Sequence, residues 1–205
     1  MNEVIAWNPS MTFLCALAGY LIGNIQTSII VSELFFHDDV RKHGSGNAGS
    51  TNMLRVYGKW PGIVTFVGDF AKAVLAVLLG RHLLGVSYGG YLAGFFVIIG
   101  HCWPIFAGFR GGKGVASSCG LAFMVFPVGA AASLAIGIVL LLITKKVSIM
   151  SLSAILLFFF SVLLFRRADG FLVLLSALIV VVVYVRHIDN IKRLLHGQEH
   201  SPINP

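Results

Sequence analysis

The chain has 205 residues, of which 57% are hydrophobic and only 11% charged, with a formal net charge of +7. A soluble domain carries roughly 25% charged residues and could not hide this much apolar surface in one core, so a water-soluble globule is excluded and a bilayer protein remains. The basic balance suits an anionic leaflet or anionic substrates, not nucleic acid, because no basic, aromatic-laced soluble segment is present to bind it.

Residues 1–10 contain no Lys or Arg, so the basic start of a signal peptide is missing. The first apolar run, 12–36, exceeds the roughly 7–15 residues of a signal-peptide core and reads as an uncleaved first span. Six more apolar runs follow at 62–84, 88–101, 114–126, 127–144, 147–165 and 170–185. A crossing takes about 20 apolar residues for about 30 Å of hydrocarbon, so the third and fourth runs are short. Pro127 leaves 114–144 open to reading as one broken helix. The expectation is an all-α, polytopic integral membrane protein with about seven transmembrane helices, six being the alternative, in a single domain covering 1–205.

Eleven of the fifteen Lys and Arg lie in the loops after spans one, three and five and in the C-terminal tail. Arg81, Arg166 and Arg167 lie on the other side, and Lys72 lies within a span. The positive-inside rule then places the N-terminus outside and the C-terminus in the cytoplasm. All the polar motifs fall on or near the cytoplasmic side.

The first loop reads Gly44-Ser45-Gly46-Asn47-Ala48-Gly49-Ser50-Thr51-Asn52. Three glycines let backbone N–H groups converge on an anion such as phosphate, and Ser45, Asn47 and Thr51 can add side-chain donors. A helix starting near Ser50 would put Asn52, Arg55 and Lys59 on one face, with cations beside a helix N-terminus. A plain flexible loop obeying the inside rule is the competing reading. Span two carries Asp69 and Lys72, three apart on one face. Intramembrane charges are paired or functional: either the two form a structural pair, or Asp69 holds Lys72 as it reaches towards the anion site.

The second motif runs from His101-Cys102-Trp103-Pro104 to Arg110-Gly111-Gly112-Lys113-Gly114. Glycines flanking Lys113 just before an apolar helix again suit a phosphate. The spacing is not that of a Walker loop. His101 is either a structural residue at the membrane boundary or a base or phosphate partner, and Trp103 reads as an interfacial anchor. At the last span, Arg186, Asn190 and Arg193 share a helical face and His187 lies three before Asn190. By itself that is an ordinary basic stop; with two phosphate-shaped loops on the same side it reads as part of a shared site. Cys15, Cys102 and Cys119 have no metal-ligand spacing and are odd in number, so neither a disulfide framework nor a zinc site is expected.

The run Gly-Ser-Gly-Asn-x-Gly-x-Thr-Asn-x-x-Arg at 44–55, His-x-x-Pro with Phe-x-Gly-Gly-Lys-Gly-Val-Ala at 101–116, and Arg-His-x-x-Asn-x-x-Arg-x-x-x-Gly-x-Glu at 186–199 together resemble the three motifs of the bacterial membrane acyl-phosphate:glycerol-3-phosphate acyltransferases, the PlsY family. They occur in order, with matching hydropathy between them. Ser117 stands where Thr is common, and a short tail follows. The resemblance implies a seven-helix inner-membrane enzyme of phospholipid synthesis whose active site faces the cytoplasm. It would pass a fatty acyl group from acyl phosphate to the 1-hydroxyl of glycerol 3-phosphate, giving lysophosphatidic acid and inorganic phosphate, with no metal and no cofactor. The expected catalytic set is Ser45, Asn47, Arg55, Lys113, His187 and Asn190. The expected substrate-binding set is Gly46, Gly49, Thr51, Asn52, Lys59, Lys72, His101, Gly111, Gly112, Gly114, Arg186 and Arg193. An anion transporter is the main competitor. It would place its site near the midplane, whereas spans four to seven here have uncharged interiors.

Overall fold

A computed structural model describes residues 8–84 and 87–199, and in them every regular element is helical. The helices are α1 (Pro9–Gly23), α2 (Thr27–Phe36), α3 (Ser50–Tyr57), α4 (Lys59–Leu84), α5 (Ser87–Cys102), α6 (Val115–Val125), α7 (Pro127–Thr144), α8 (Val147–Phe165), α9 (Gly170–Arg186) and α10 (Ile188–Leu195).

The first apolar run is not one helix. α1 begins where Asn8 Oδ1 accepts the Met11 N–H at 3.2 Å and Pro9 takes the first position, where a missing N–H costs nothing. It stops at Gly23, and after Asn24-Ile25-Gln26 the span resumes as α2. α1, α4 and α5 form the tight centre of the bundle because glycines let their backbones touch. A β-carbon on Gly19 would overlap Ala93, one on Gly100 would overlap Tyr20, and one on Gly80 would overlap Gly89. Small residues at such crossings replace the hydrophobic driving force that lipid cannot provide. Around them Ala73, Val77, Val97, Ile98 and Leu121 are fully buried. Large apolar side chains such as Leu34, Val67, Leu75, Ile143 and Leu164 face outward, as a lipid-facing surface does.

Among the described residues, five helical segments are long and apolar enough to cross a bilayer, α1 with α2 counting as one. The pair α9 and α10, bent by 63° at His187, makes a sixth. The remaining apolar run is α6, eleven residues and so about 16 Å long, half the hydrocarbon thickness. The chain breaks at Phe126 (φ −150°, ψ 77°) and Pro127 opens α7, so 114–144 is two helices. Among the described residues, five segments meet the length of a crossing, or six with the bent pair as one span, where the sequence leads to about seven with six as the alternative. The far end of α6 is closed by Arg81, whose Nη2 donates to the Met124 carbonyl at 2.6 Å.

Candidate active site

Three loops gather at one end of the bundle, each fixed by side chains that bond to backbone. In the first, Gly44 and Gly46 adopt φ of +57° and +69°, a left-handed conformation that other residues enter at a cost. Asn52 holds this turn from below. It is 1% exposed; its Oδ1 accepts the Ser45 N–H at 2.9 Å and its Nδ2 donates to the Val40 and His43 carbonyls, both at 3.1 Å. Helix α3 starts at Ser50 with Gly49 as its cap and no side chain bonded there, leaving its first-turn N–H groups for a ligand. Gly58 (φ +93°) ends it, and Lys59 opens α4 instead of continuing the α3 face. Arg41 ties this loop to the next: it chelates Asp39 through Nε and Nη2, and its Nη1 donates to the Ala107 carbonyl at 2.8 Å.

The second loop follows a short 3-10 turn at Ile105–Ala107. Its glycines pack against His101. The Gly112 N–H donates to the His101 carbonyl at 3.1 Å, and a β-carbon on Gly111 or Gly112 would overlap that carbonyl or the His101 ring. Arg186 fastens the loop from α9, donating from Nε to the Gly112 carbonyl and from Nη2 to that of Gly111, each at 3.0 Å. Its guanidinium also lies over Trp103, 5.5 Å from the ring centre. Gly114, φ +83°, caps α6.

The third segment turns at His187. Its Nδ1 lies 2.8 Å from the Val183 carbonyl, which can only accept, so Nδ1 carries the proton and Nε2 is the acceptor. Helix α10 then presents Asn190 and Arg193. Asn190 Oδ1 accepts from Lys113 Nζ, and its Nδ2 donates to Ser148 Oγ at 2.9 Å and Glu199 Oε1 at 2.6 Å. Arg193 Nε pairs with Glu199 Oε2 at 2.8 Å, and Ser148 also donates to Glu199. One connected network thus joins the second loop, α8 and α10.

All three motifs open onto a single cavity of about 400 Å³. Its wall includes Ser45, Asn47, Gly49, Thr51, Asn52 and Arg55 from the first motif, His101, Lys113 and Gly114 from the second, and His187, Asn190 and Arg193 from the third. The first turns of α3, α6 and α8 also line it, through Ser50 and Thr51, Val115 and Ala116, and Val147 and Ser148. Three helix N-termini and three cations line this space, and the carboxylates of Asp69 and Glu199 that share it are each paired with a cation, a balance that favours an anion. Phe66, Val115, Val147 and Met150 supply an apolar wall. Burial pulls the Lys113 ammonium down to about 8, against the pull of Glu199 in the other direction. Burial pushes the Glu199 carboxyl up, but hydrogen bonds from Ser148, Asn190 and Arg193 outweigh it, and its pKa lies below the ordinary value.

Six expected residues do not line the cavity. Gly46 shapes the turn, and Gly111, Gly112 and Arg186 lock the second loop from behind. Lys59 stands exposed at the start of α4. Lys72 does not reach the anion space: its Nζ pairs with Asp69 Oδ1 at 2.8 Å and donates to the Gly23 and Ile25 carbonyls at 3.2 and 2.6 Å. Conversely, Gly44, Asp69, Ser148, Ser151 and Glu199 line the cavity without having been expected there. Glu199 could have been found, since it closes the third motif. Ser148 and Ser151 could not, being small uncharged hydroxyls in the first turns of an apolar helix.

Residues 13–197 match the glycerol-3-phosphate acyltransferase family. The chain is 41% identical over 189 residues to the glycerol-3-phosphate acyltransferase of Alkaliphilus metalliredigens, covering 92% of this chain and 95% of that one. It is 44% identical over 189 residues to that of Clostridioides difficile, covering 90% and 92%. Among solved structures it is similar to PlsY (YgiH), an integral membrane glycerol 3-phosphate acyltransferase, in its glycerol 3-phosphate form, with a TM-score of 0.87 at 32% identity over 93% of this chain and 94% of that one. The lysophosphatidic acid form of the same protein gives 0.84 at 30% identity with the same coverage.

Proposed function

Since this chain belongs to the glycerol-3-phosphate acyltransferase family, we propose that its cavity joins glycerol 3-phosphate to a fatty acyl group supplied as acyl phosphate. The chain is a multi-pass membrane enzyme, an acyltransferase of phospholipid synthesis whose acceptor is glycerol 3-phosphate and whose product is lysophosphatidic acid. Acyl phosphate as donor fits the site, because both substrates then carry phosphate into a cavity ringed by helix N-termini. The observation that carries the reading is this convergence of three motifs, three cations and an apolar wall on one space.

In this reading Arg55, Lys113 and Arg193 supply charge-assisted hydrogen bonds to the two phosphates. Ser45, Asn47, Thr51 and the N–H groups at Ser50, Thr51 and Val115 complete the shell. The 1-hydroxyl oxygen attacks the acyl carbonyl carbon while the bond from that carbon to the phosphate oxygen breaks. The hydroxyl proton passes to an oxygen of the departing phosphate, which leaves as inorganic phosphate, while the lone pair of His187 Nε2 orients the hydroxyl. No acyl-enzyme forms: phosphate is already a good leaving group, and nothing in the cavity is hydrogen-bonded to the Ser45 hydroxyl to activate it. Fixed donors and cations offset the charge growing on the leaving phosphate, and holding both substrates supplies much of the rest. Asn190 and Glu199 position Lys113 and Arg193 for this. The 11-to-3 distribution of Lys and Arg supports an inner-membrane enzyme whose cavity and C-terminus face the cytoplasm.

Purified protein in proteoliposomes should release phosphate from palmitoyl phosphate only when glycerol 3-phosphate is present, with one lysophosphatidic acid formed per phosphate. Release without the acceptor would mean a hydrolase, and phosphate uptake without chemistry a transporter. Cysteines at Asn47 and Gln198, in a cysteine-free background, should resist an impermeant thiol reagent in intact cells. Labelling from outside would reverse the orientation.

A further inference from the structure

Beneath the cavity lies a buried polar cluster that the reaction as written does not use. Asp69, Lys72 and His101 are each 4% exposed or less. The Lys72 ammonium has four acceptors around it: Asp69 Oδ1 at 2.8 Å, the Gly23 and Ile25 carbonyls, and His101 Nδ1 at 2.9 Å. An ammonium has three protons and no lone pair, so it can only donate. An Nδ1–H aimed at this ammonium from 2.9 Å would set donor against donor, so Nδ1 of His101 presents its lone pair. Asp69 Oδ1, 3.6 Å from Nδ1, is too far to take a proton from it in a good hydrogen bond. A neutral imidazole with Nδ1 accepting carries its hydrogen on Nε2. That end of the ring is packed where a Gly112 β-carbon would stand, and the Ala48 carbonyl lies near the same point. His101 thus sits where the two glycine loops meet, and it lines the cavity.

We propose that Lys72 is a positioning residue, holding His101 with its proton on Nε2 so that the ring offers a fixed N–H to a substrate phosphate. Asp69 keeps the ammonium in place and is itself held by Thr27 Oγ1 at 3.2 Å. Because Lys72 also grips the carbonyls at the break between α1 and α2, the orientation of His101 is coupled to the broken first span. The proposal rests on the acyl-transfer reading of the cavity and adds a neutral donor to its cationic ones.

The test has two parts. In 15N spectra of histidine-labelled protein in lipid, His101 should show an unprotonated Nδ1 and a protonated Nε2, and Lys72→Met should mix the two tautomers. A wild-type His101 protonated on Nδ1 overturns the proposal, and this measurement needs neither turnover nor a folded variant. In kinetics, the double variant Asp69→Asn/Lys72→Met removes the pair without leaving a bare carboxylate. Its kcat/KM should fall roughly 10- to 100-fold, the loss of one hydrogen bond to a charged group. Varying glycerol 3-phosphate and acyl phosphate in turn shows which phosphate His101 meets. Once His101→Ala is present, the double variant should add no further loss. Unchanged kinetics, or losses that multiply, would leave Lys72 as a pin for the break alone. A wild-type protein that transfers no acyl group would sink the functional reading, while the tautomer result stands separately.

Discussion

The two glycine loops look alike on paper, and they use their glycines for different reasons. In the first, Gly46 is present for its backbone angle alone, since a β-carbon there would meet nothing nearer than the Arg41 carbonyl at 3.5 Å, while Gly44 joins a left-handed angle to close packing on the Asn52 side chain. In the second, Gly111 and Gly112 have ordinary backbones and are present for lack of bulk, because His101 occupies the space a side chain would need. The first loop is a turn hung on Asn52. The second is a slab pressed between His101 and Arg186. A glycine-rich run in a sequence therefore announces close backbone approach or a left-handed turn, and it does not say which.

The strongest way to break the contrast is to cut the first loop from its anchor. Asn52→Leu leaves the Ser45 N–H and the Val40 and His43 carbonyls without their partner, at about 3 kcal/mol or more for groups this buried. Thermal unfolding in detergent should shift down, and activity should fall with it; an unchanged melting temperature would mean the loop holds itself. Next comes the cation of the second loop. Lys113→Ala should raise the barrier in kcat/KM by about 1.5–3 kcal/mol. Burial lowers the Lys113 pKa to about 8, so its charge is present below that pH and lost above it. The kcat/KM of the free enzyme should therefore fall roughly tenfold per pH unit on the alkaline side. Lys113→Arg, which does not deprotonate in this range, should remove that limb even if its rate is low. A limb that survives in the arginine variant belongs to another group.

The smallest effects separate the glycines themselves. Gly112→Ala should cost about 1–3 kcal/mol as overpacking against His101, and an asparagine there should be worse. Gly46→Ala should cost about 1 kcal/mol through its left-handed angle alone, and Gly46→Asn should regain part of that, since asparagine tolerates the conformation. Rates and melting temperatures that rank the four variants otherwise would dissolve the distinction.

Much of this architecture is legible in the chain. Apolar runs bounded by basic loops mark the helices, and the three motifs mark one site: twelve of the eighteen expected residues line the cavity. What escaped depends on distance relations that a sequence does not carry. The sequence leaves Lys72 open between a structural pair with Asp69 and a reach towards the anion site, because its other partners, the Gly23 and Ile25 carbonyls, are backbone atoms at a break that Asn24 and Gln26 mark only once the helix is seen to stop there. Arg186 fell on the expected face of an ideal helix, but the turn at His187 redirects Asn190 and Arg193 to the cavity and leaves Arg186 for the loop behind. α6, already short in the sequence as the run 114–126, ends at Val125, where Phe126 leaves helical angles and Pro127 opens the next helix. Glu199 closes the third motif, but a lone carboxylate reads against an anion site until Arg193 and Asn190 are seen beside it.

The broken first span also bears on how the chain enters the membrane. Translation runs from the N-terminus, so the Gly23 and Ile25 carbonyls are made 49 and 47 residues ahead of Lys72. Helix α4 arrives carrying Asp69 and Lys72, which on insertion scales cost about 2.5–3.5 kcal/mol each at mid-helix. The acceptors are already in the bilayer when it does. His101 follows 29 residues later and completes the cluster once the charges are settled. The order of synthesis is thus the order in which each costly group meets its partner, and a chain with α1 and α2 deleted or permuted to the end should insert α4 poorly.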